Sequence, residues 1–163
     1  MQYSQKYCLV SFIDPIEVNT EFSVEGWPLH VTLADVFSIE RNSLDIQAKL
    51  KELLEKQPAL KTFANKETVL GTTKVTLLDN TTSLRKLHTA LIDLLETNGA
   101  QFNVPEFTRE GFLPHCTTQK TARLNIKDEI LIDNLALIDM FPNGDWQQRK
   151  VLTAFKLKAR GTK

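Results

Sequence analysis

Cysteine is scarce. Cys8 and Cys116 are the only two in 163 residues, too few for a disulfide framework, so a reducing cytoplasm is the default compartment. Long apolar runs are missing too. None approaches the ~20 residues needed to cross a bilayer. The opening "MQYSQKYCLVSFIDP" lacks a basic start followed by a long apolar segment, so neither a membrane span nor a signal peptide is expected. Net charge is absent, because 20 basic and 20 acidic residues cancel. That argues against gripping a long nucleic acid by bulk charge. It leaves room for a small phosphate-bearing ligand, or an RNA end held by a local patch. No linker or low-complexity tract interrupts the chain, so residues 1–163 read as one domain. Oligomeric state leaves no mark, and zero charge permits a monomer.

What is present is ordinary globular material, with 42% hydrophobic residues. "YCLVSFI" (7–13) and "HVTLADVF" (30–37) read as strands. "SLDIQAKLKELLEKQ" (43–57) places Ile46, Leu50, Leu53 and Leu54 at helical spacing, with Asn42 or Ser43 as cap and Pro58 as stop. "KETVLG" and "KVTLLD" read as strands meeting near Gly71. "TSLRKLHTALIDLLETNG" (82–99) carries the strongest helical stripe, capped by Thr82 and closed by Gly99. "EILIDNLALIDMF" (129–141) and "QRKVLTAFKLKAR" (148–160) read as strands flanking a turn at "PNGD", where Asn-Gly accepts positive φ. The class is α+β.

Against this background, "PLHVTL" and "LPHCTT" stand out. Two of only three histidines lie in copies of one tripeptide, His30-Val31-Thr32 and His115-Cys116-Thr117. Side chains alternate along a strand, so each histidine shares a face with its threonine. If the two strands lie side by side, two imidazoles and two hydroxyls line one cleft. A neutral imidazole can take a proton from water while a protonated one gives a proton to a leaving oxygen, and histidine supplies both forms near neutral pH. Threonine hydroxyls can hydrogen-bond non-bridging phosphate oxygens. No metal is required and no cofactor is expected. There is no Cys/His cluster, His-x-His pair or acidic triad at ligand spacing, and a structural zinc on the histidines lacks two further ligands.

"PLHVTLADVF" and "GFLPHCTTQ" resemble the paired signatures of the two-histidine (2H) phosphoesterase superfamily, which includes 2′-5′ RNA ligase-like proteins and 2′,3′-cyclic phosphodiesterases. The resemblance implies a bilobal, pseudo-two-fold fold: two intertwined lobes with two mainly antiparallel sheets around a central cleft and helices on the outer faces. It implies His30 and His115 as the acid/base pair and Thr32 and Thr117 as phosphate ligands. Many relatives carry a basic residue soon after the second motif, and Lys120 is its counterpart here. The position after the second threonine, usually hydrophobic in the family, is Thr118. The implied activity is metal-independent hydrolysis of a 2′,3′-cyclic phosphate on an RNA terminus or small nucleotide. A nucleotide- or RNA-binding module with little turnover, and 2′-5′ joining of RNA ends, are the alternatives.

His88 lies on the apolar stripe of its helix and reads as a packed, hydrogen-bonded residue. Cys116 points away from the histidine face, toward the core. The segment 149–163 has six basic residues and no acidic one; Lys156, Lys158 and Arg160 share a face that reads as a lysine-decorated edge. Trp27, Phe12, Phe112 and Trp146 are the candidates for stacking a nucleobase.

Overall fold

A computed structural model describes residues 5–40, 43–120 and 122–159. Asn42 and Arg160 lie outside that set. The elements are β1 (Lys6–Phe12), β2 (Glu21–Ser23), β3 (His30–Ser38), α1 (Ser43–Glu55), β4 (Leu60–Leu70), β5 (Thr73–Leu78), α2 (Thr82–Thr97), β6 (Gln101–Phe102), β7 (His115–Thr117), β8 (Glu129–Ile132), β9 (Asn134–Asp139) and β10 (Gln148–Lys156). The predicted helices are where periodicity placed them. Three details differ. The cap of α2 is Thr81, whose hydroxyl accepts from the Leu84 N–H, and not Thr82. The expected single strand over 129–141 is broken at Asp133 into β8 and β9. The short strands β2 and β6 have too few residues to show periodicity.

The strands run β2-β10-β9-β1-β3-β7-β5-β4-β8 as one hydrogen-bonded path, with β6 added beside β3. The paired strands are antiparallel. The two expected sheets are here continuous along one hydrogen-bonded path. Strands β8 and β9 are joined through Asp133 alone, yet β8 ends the path and β9 lies near its start. Pro58 bridges Lys158 between the same two regions. The path must therefore curl back on itself.

Both helices pack on one side of the strands, opposite the face that carries the motif histidines and threonines. α2 buries Leu84, Leu87, Leu91, Ile92 and Leu95, and α1 buries Ile46, Leu50 and Leu54. They share one core with Val31, Leu33, Cys116, Ile130, Leu137 and Phe155. Each such side chain contributes roughly 1.5–3 kcal/mol by leaving water. A smaller cluster occupies the other face of the first half, around Val10, Phe12, Ile138 and Val151.

The two motif strands are neighbours at the middle of the path. β3 and β7 share one register pair, Val31 opposite Cys116, and both of these residues are buried. Their side chains anchor the strands in the helix-side core. The residues on either side of them in sequence are thereby turned to the opposite face.

Candidate active site

Antiparallel pairing about Val31 and Cys116 sets His30 against Thr117 and Thr32 against His115. A local two-fold axis at this pair exchanges His30 with His115 and Thr32 with Thr117. The two imidazoles then occupy one diagonal of a four-residue patch and the two hydroxyls the other. Diagonal neighbours of this kind are roughly 7–8 Å apart at the backbone. The sequence copies of His-x-Thr are thus copies in space.

Each histidine is held alike. His30 Nδ1 lies 2.8 Å from the Pro28 carbonyl oxygen and His115 Nδ1 lies 2.7 Å from that of Leu113. A carbonyl only accepts, so Nδ1 carries the proton and Nε2 is left free for the cleft. The surroundings differ. His30 is flanked by Trp27, with ring centroids 4.5 Å apart, and by Phe12 at 6.2 Å. Arg149 lies over the Trp27 ring, 6.0 Å from its centroid, while its Nη1 donates to the carbonyls of Met140, Trp146 and Gln148. Burial pushes the His30 pKa down, only partly offset by the Pro28 hydrogen bond, and the charge of His115 lowers it further. The neutral imidazole is therefore the favoured form of His30.

A cleft of about 700 Å³ opens beside this patch, lined by Thr32, His115 and Thr117. His30 stands next to it, covered by Trp27 rather than forming its wall. The cleft floor reaches Phe112 and His88. His88 is 2% exposed. Its Nδ1 donates to the Leu33 carbonyl at 2.6 Å, its Nε2 accepts from the Arg109 N–H at 2.9 Å, and its ring stacks on Phe112 at 3.9 Å. The expected structural role is what the geometry shows. Arg109, at φ 58, adds an ion pair from its side chain to Asp93 at 2.7 Å and another to Glu96. α2 thereby holds the irregular segment that leads into His115.

Other predicted residues fall differently. Lys120 is exposed in the turn after β7 and does not line the cleft. Cys116 is buried, and burial pushes its thiol up to about 11, which leaves a poor nucleophile. Phe12 is buried, and Phe112, although it lines the cleft, is buried with its ring stacked on His88. Trp146 is exposed and outside the cleft lining. Lys156 and Lys158 are exposed near the chain end, as a solvated edge requires. Among the described residues no three His, Cys, Asp or Glu side chains form a metal-ligating group.

Sequence reasoning missed the far wall. Val69, Phe107 and Leu113 are large apolar side chains with about half their surface exposed, and all three line the cleft. Phe107 sits in a 3-10 turn (Pro105–Phe107) that has no periodicity to read. Asp35 also lines the cleft. From Thr32 strict alternation would send it to the core, but β3 is irregular there: Val10 pairs Thr32, while Leu9 pairs Ala34. The extra residue puts both Leu33 and Ala34 in the core and returns Asp35 to the histidine face.

A family model described as the 2′-5′ RNA ligase superfamily matches residues 9–147. No curated protein matches the chain. Among solved structures, E. coli LigT complexed with NADP+ superposes with a TM-score of 0.59 at 13% identity, covering 96% of this chain and 99% of that one. E. coli LigT complexed with 3′-AMP gives 0.56 at 17% identity, covering 95% and 99%. TT0787 of Thermus thermophilus gives 0.59 at 16%, covering 96% and 100%. At these identities the likeness is one of fold.

Proposed function

Since the chain belongs to the 2′-5′ RNA ligase superfamily, we propose that it is a phosphoesterase that opens the 2′,3′-cyclic phosphate of a small nucleotide or RNA end by two-histidine acid/base catalysis, without calling on a metal. One observation carries the reading: the diagonal placement of His30 and His115 about the Val31–Cys116 pair. Displacement at phosphorus runs with attacking and leaving oxygens roughly in line. A phosphorus atom over the centre of the patch has one imidazole on each side, as that line requires. Thr32 and Thr117, on the other diagonal, donate to the non-bridging oxygens. That a relative of the same fold binds 3′-AMP agrees with a nucleotide ligand.

The asymmetry of the site supports a division of roles. His30, kept neutral by its aromatic cover, takes the proton of the attacking water at Nε2. His115 delivers a proton to the departing ribose oxygen. Lys120, on the exposed turn after β7, has the lesser role of drawing the anion in by its charge, which solvent screens.

The assignment is tested with two diester substrates, a ribonucleoside 2′,3′-cyclic phosphate and a 4-nitrophenyl phosphodiester whose leaving group needs no proton. His30→Ala is expected to lose at least ~100-fold in kcat on both. His115→Ala is expected to lose that much on the cyclic phosphate and less than ~10-fold on the nitrophenyl ester. Equal losses in both variants on both substrates would contradict the division of labour.

A further inference from the structure

Beyond Thr32, His115 and Thr117, with His30 beside it, the cleft wall offers an anionic ligand very little. Among the described residues that line it there is no lysine or arginine, and Asp35 is its one carboxylate. The rest of the opening is mainly apolar, with Phe107 55% exposed and Val69 57% exposed, and Thr73 adds one hydroxyl. Asp35 is half-buried, and none of the described residues gives its carboxylate a hydrogen bond or an ion pair. It reaches the cleft only because β3 carries an extra residue between its pairings at Thr32 and Ala34. Irregularities of this kind re-aim side chains next to functional sites. In a regular strand the buried Ala34 would hold that place and the charge would be absent.

We propose that Asp35 determines the specificity of this cleft, restricting it to small phosphodiesters whose only charge is the scissile phosphate, and excluding ligands that carry a second phosphate nearby. The inference rests on the phosphoesterase reading for the site, and it adds which members of that substrate class are accepted. The two histidines and two threonines accommodate one phosphate. A second one elsewhere in the cleft meets no lysine or arginine among the described lining residues, a mainly apolar wall and the Asp35 carboxylate. Burying a phosphate beside an unneutralised carboxylate is unfavourable on both counts. An uncharged group with a hydroxyl or amino donor meets the opposite situation, because no described residue donates to the Asp35 oxygens and they can accept from it. A nucleoside with an unphosphorylated 5′-hydroxyl has that chemistry, with its base lying against Phe107.

The test is calorimetric titration of adenosine 3′-monophosphate and adenosine 3′,5′-bisphosphate into the wild type, Asp35→Asn and Asp35→Lys. Hydrolysis of adenosine 2′,3′-cyclic phosphate is assayed in parallel. The wild type is expected to bind the monophosphate at least ~10-fold more tightly, about 1.4 kcal/mol, and the preference narrows as salt is added. In Asp35→Asn the ratio should fall to within ~3-fold, and in Asp35→Lys it should invert. A wild type that binds both nucleotides equally, or a ratio unmoved by both substitutions, overturns the proposal. Such a result beside normal hydrolysis of the cyclic phosphate leaves the catalytic reading standing. The predicted ratios without any hydrolysis would instead overturn the catalytic reading and leave the charge filter in place. If neither nucleotide bound, both would fall.

Discussion

At the scale of single residues, the site is two chemically identical histidines made unequal by their neighbours. Both fix the same tautomer through the carbonyl two positions earlier. What separates them is the aromatic cover over His30, which lowers its pKa by desolvation. A general base must be unprotonated to act, so the acid limb of kcat/KM reports its titration in the free enzyme. That limb is expected to fall below the ordinary histidine value of 6.5. Trp27→Ala should move it upward by admitting water to His30. A pH profile whose acid limb lies at or above 6.5 contradicts the assignment of His30 as base. Phe107 allows a second prediction. It is 55% exposed, so Phe107→Ala should leave the thermal midpoint within ~2 °C. A stacked base is worth ~1–3 kcal/mol, so affinity for a nucleotide should fall ~5- to 100-fold. Unchanged affinity, measured by calorimetry, would place the base elsewhere.

At the scale of elements, the segment before β7 is held less by its own hydrogen bonds than by α2. His88 is the link, taking the Arg109 N–H on one nitrogen and giving to the Leu33 carbonyl from the other. Substituting His88→Leu leaves the buried Leu33 carbonyl and the partly buried Arg109 N–H without this partner, at a cost of ~1–3 kcal/mol for a buried group. The variant should be less stable by that order. It should also lose nucleotide affinity, because Phe107 and Leu113 ride on the segment that Arg109 anchors. Chemical denaturation and calorimetry measure the two effects, and a variant as stable as the wild type would refute the link. His88 also has a pH signature. Burial holds its folded pKa below the unfolded 6.5, as it does for His30. As pH falls through 6.5, the unfolded chain takes up protons that the folded one resists. Stability should therefore decline as pH falls through 6.5 toward the lower folded pKa, and the decline should be shallower in His88→Leu. A slope unchanged by the substitution would show that His88 does not carry it.

How much of this was legible follows from the same elements. The period-3.6 stripe of Leu84, Leu87, Leu91 and Leu95 and the alternation from His30 to Thr32 are local patterns, and the structure follows both. The Pro-His contexts gave the two motifs, and their pairing at Val31 and Cys116 is what two copies in strands would require. Asp35 was not readable, because it depends on one extra residue in β3 that has no composition of its own. Nor was the break at Asp133: Ile132 and Leu135 are both buried apolar residues, so the run looks continuous although its halves pair with distant partners. Phe107 lies in a turn where neither periodicity applies.

At the scale of the whole molecule, one curled sheet backed by two helices brings the two halves of the chain together at a single register pair. Everything proposed for the protein depends on the four side chains around that pair acting as one unit. No helix among the described residues is long and apolar enough to cross a membrane. The most direct measurement is hydrolysis of adenosine 2′,3′-cyclic phosphate in the presence of EDTA, comparing the wild type with the His30→Ala/His115→Ala double variant and resolving the products by chromatography. The expected result is turnover by the wild type that EDTA does not reduce, one product isomer, and no turnover by a double variant that still folds. Equal turnover by both proteins, or wild-type turnover abolished by EDTA, would contradict two-histidine catalysis.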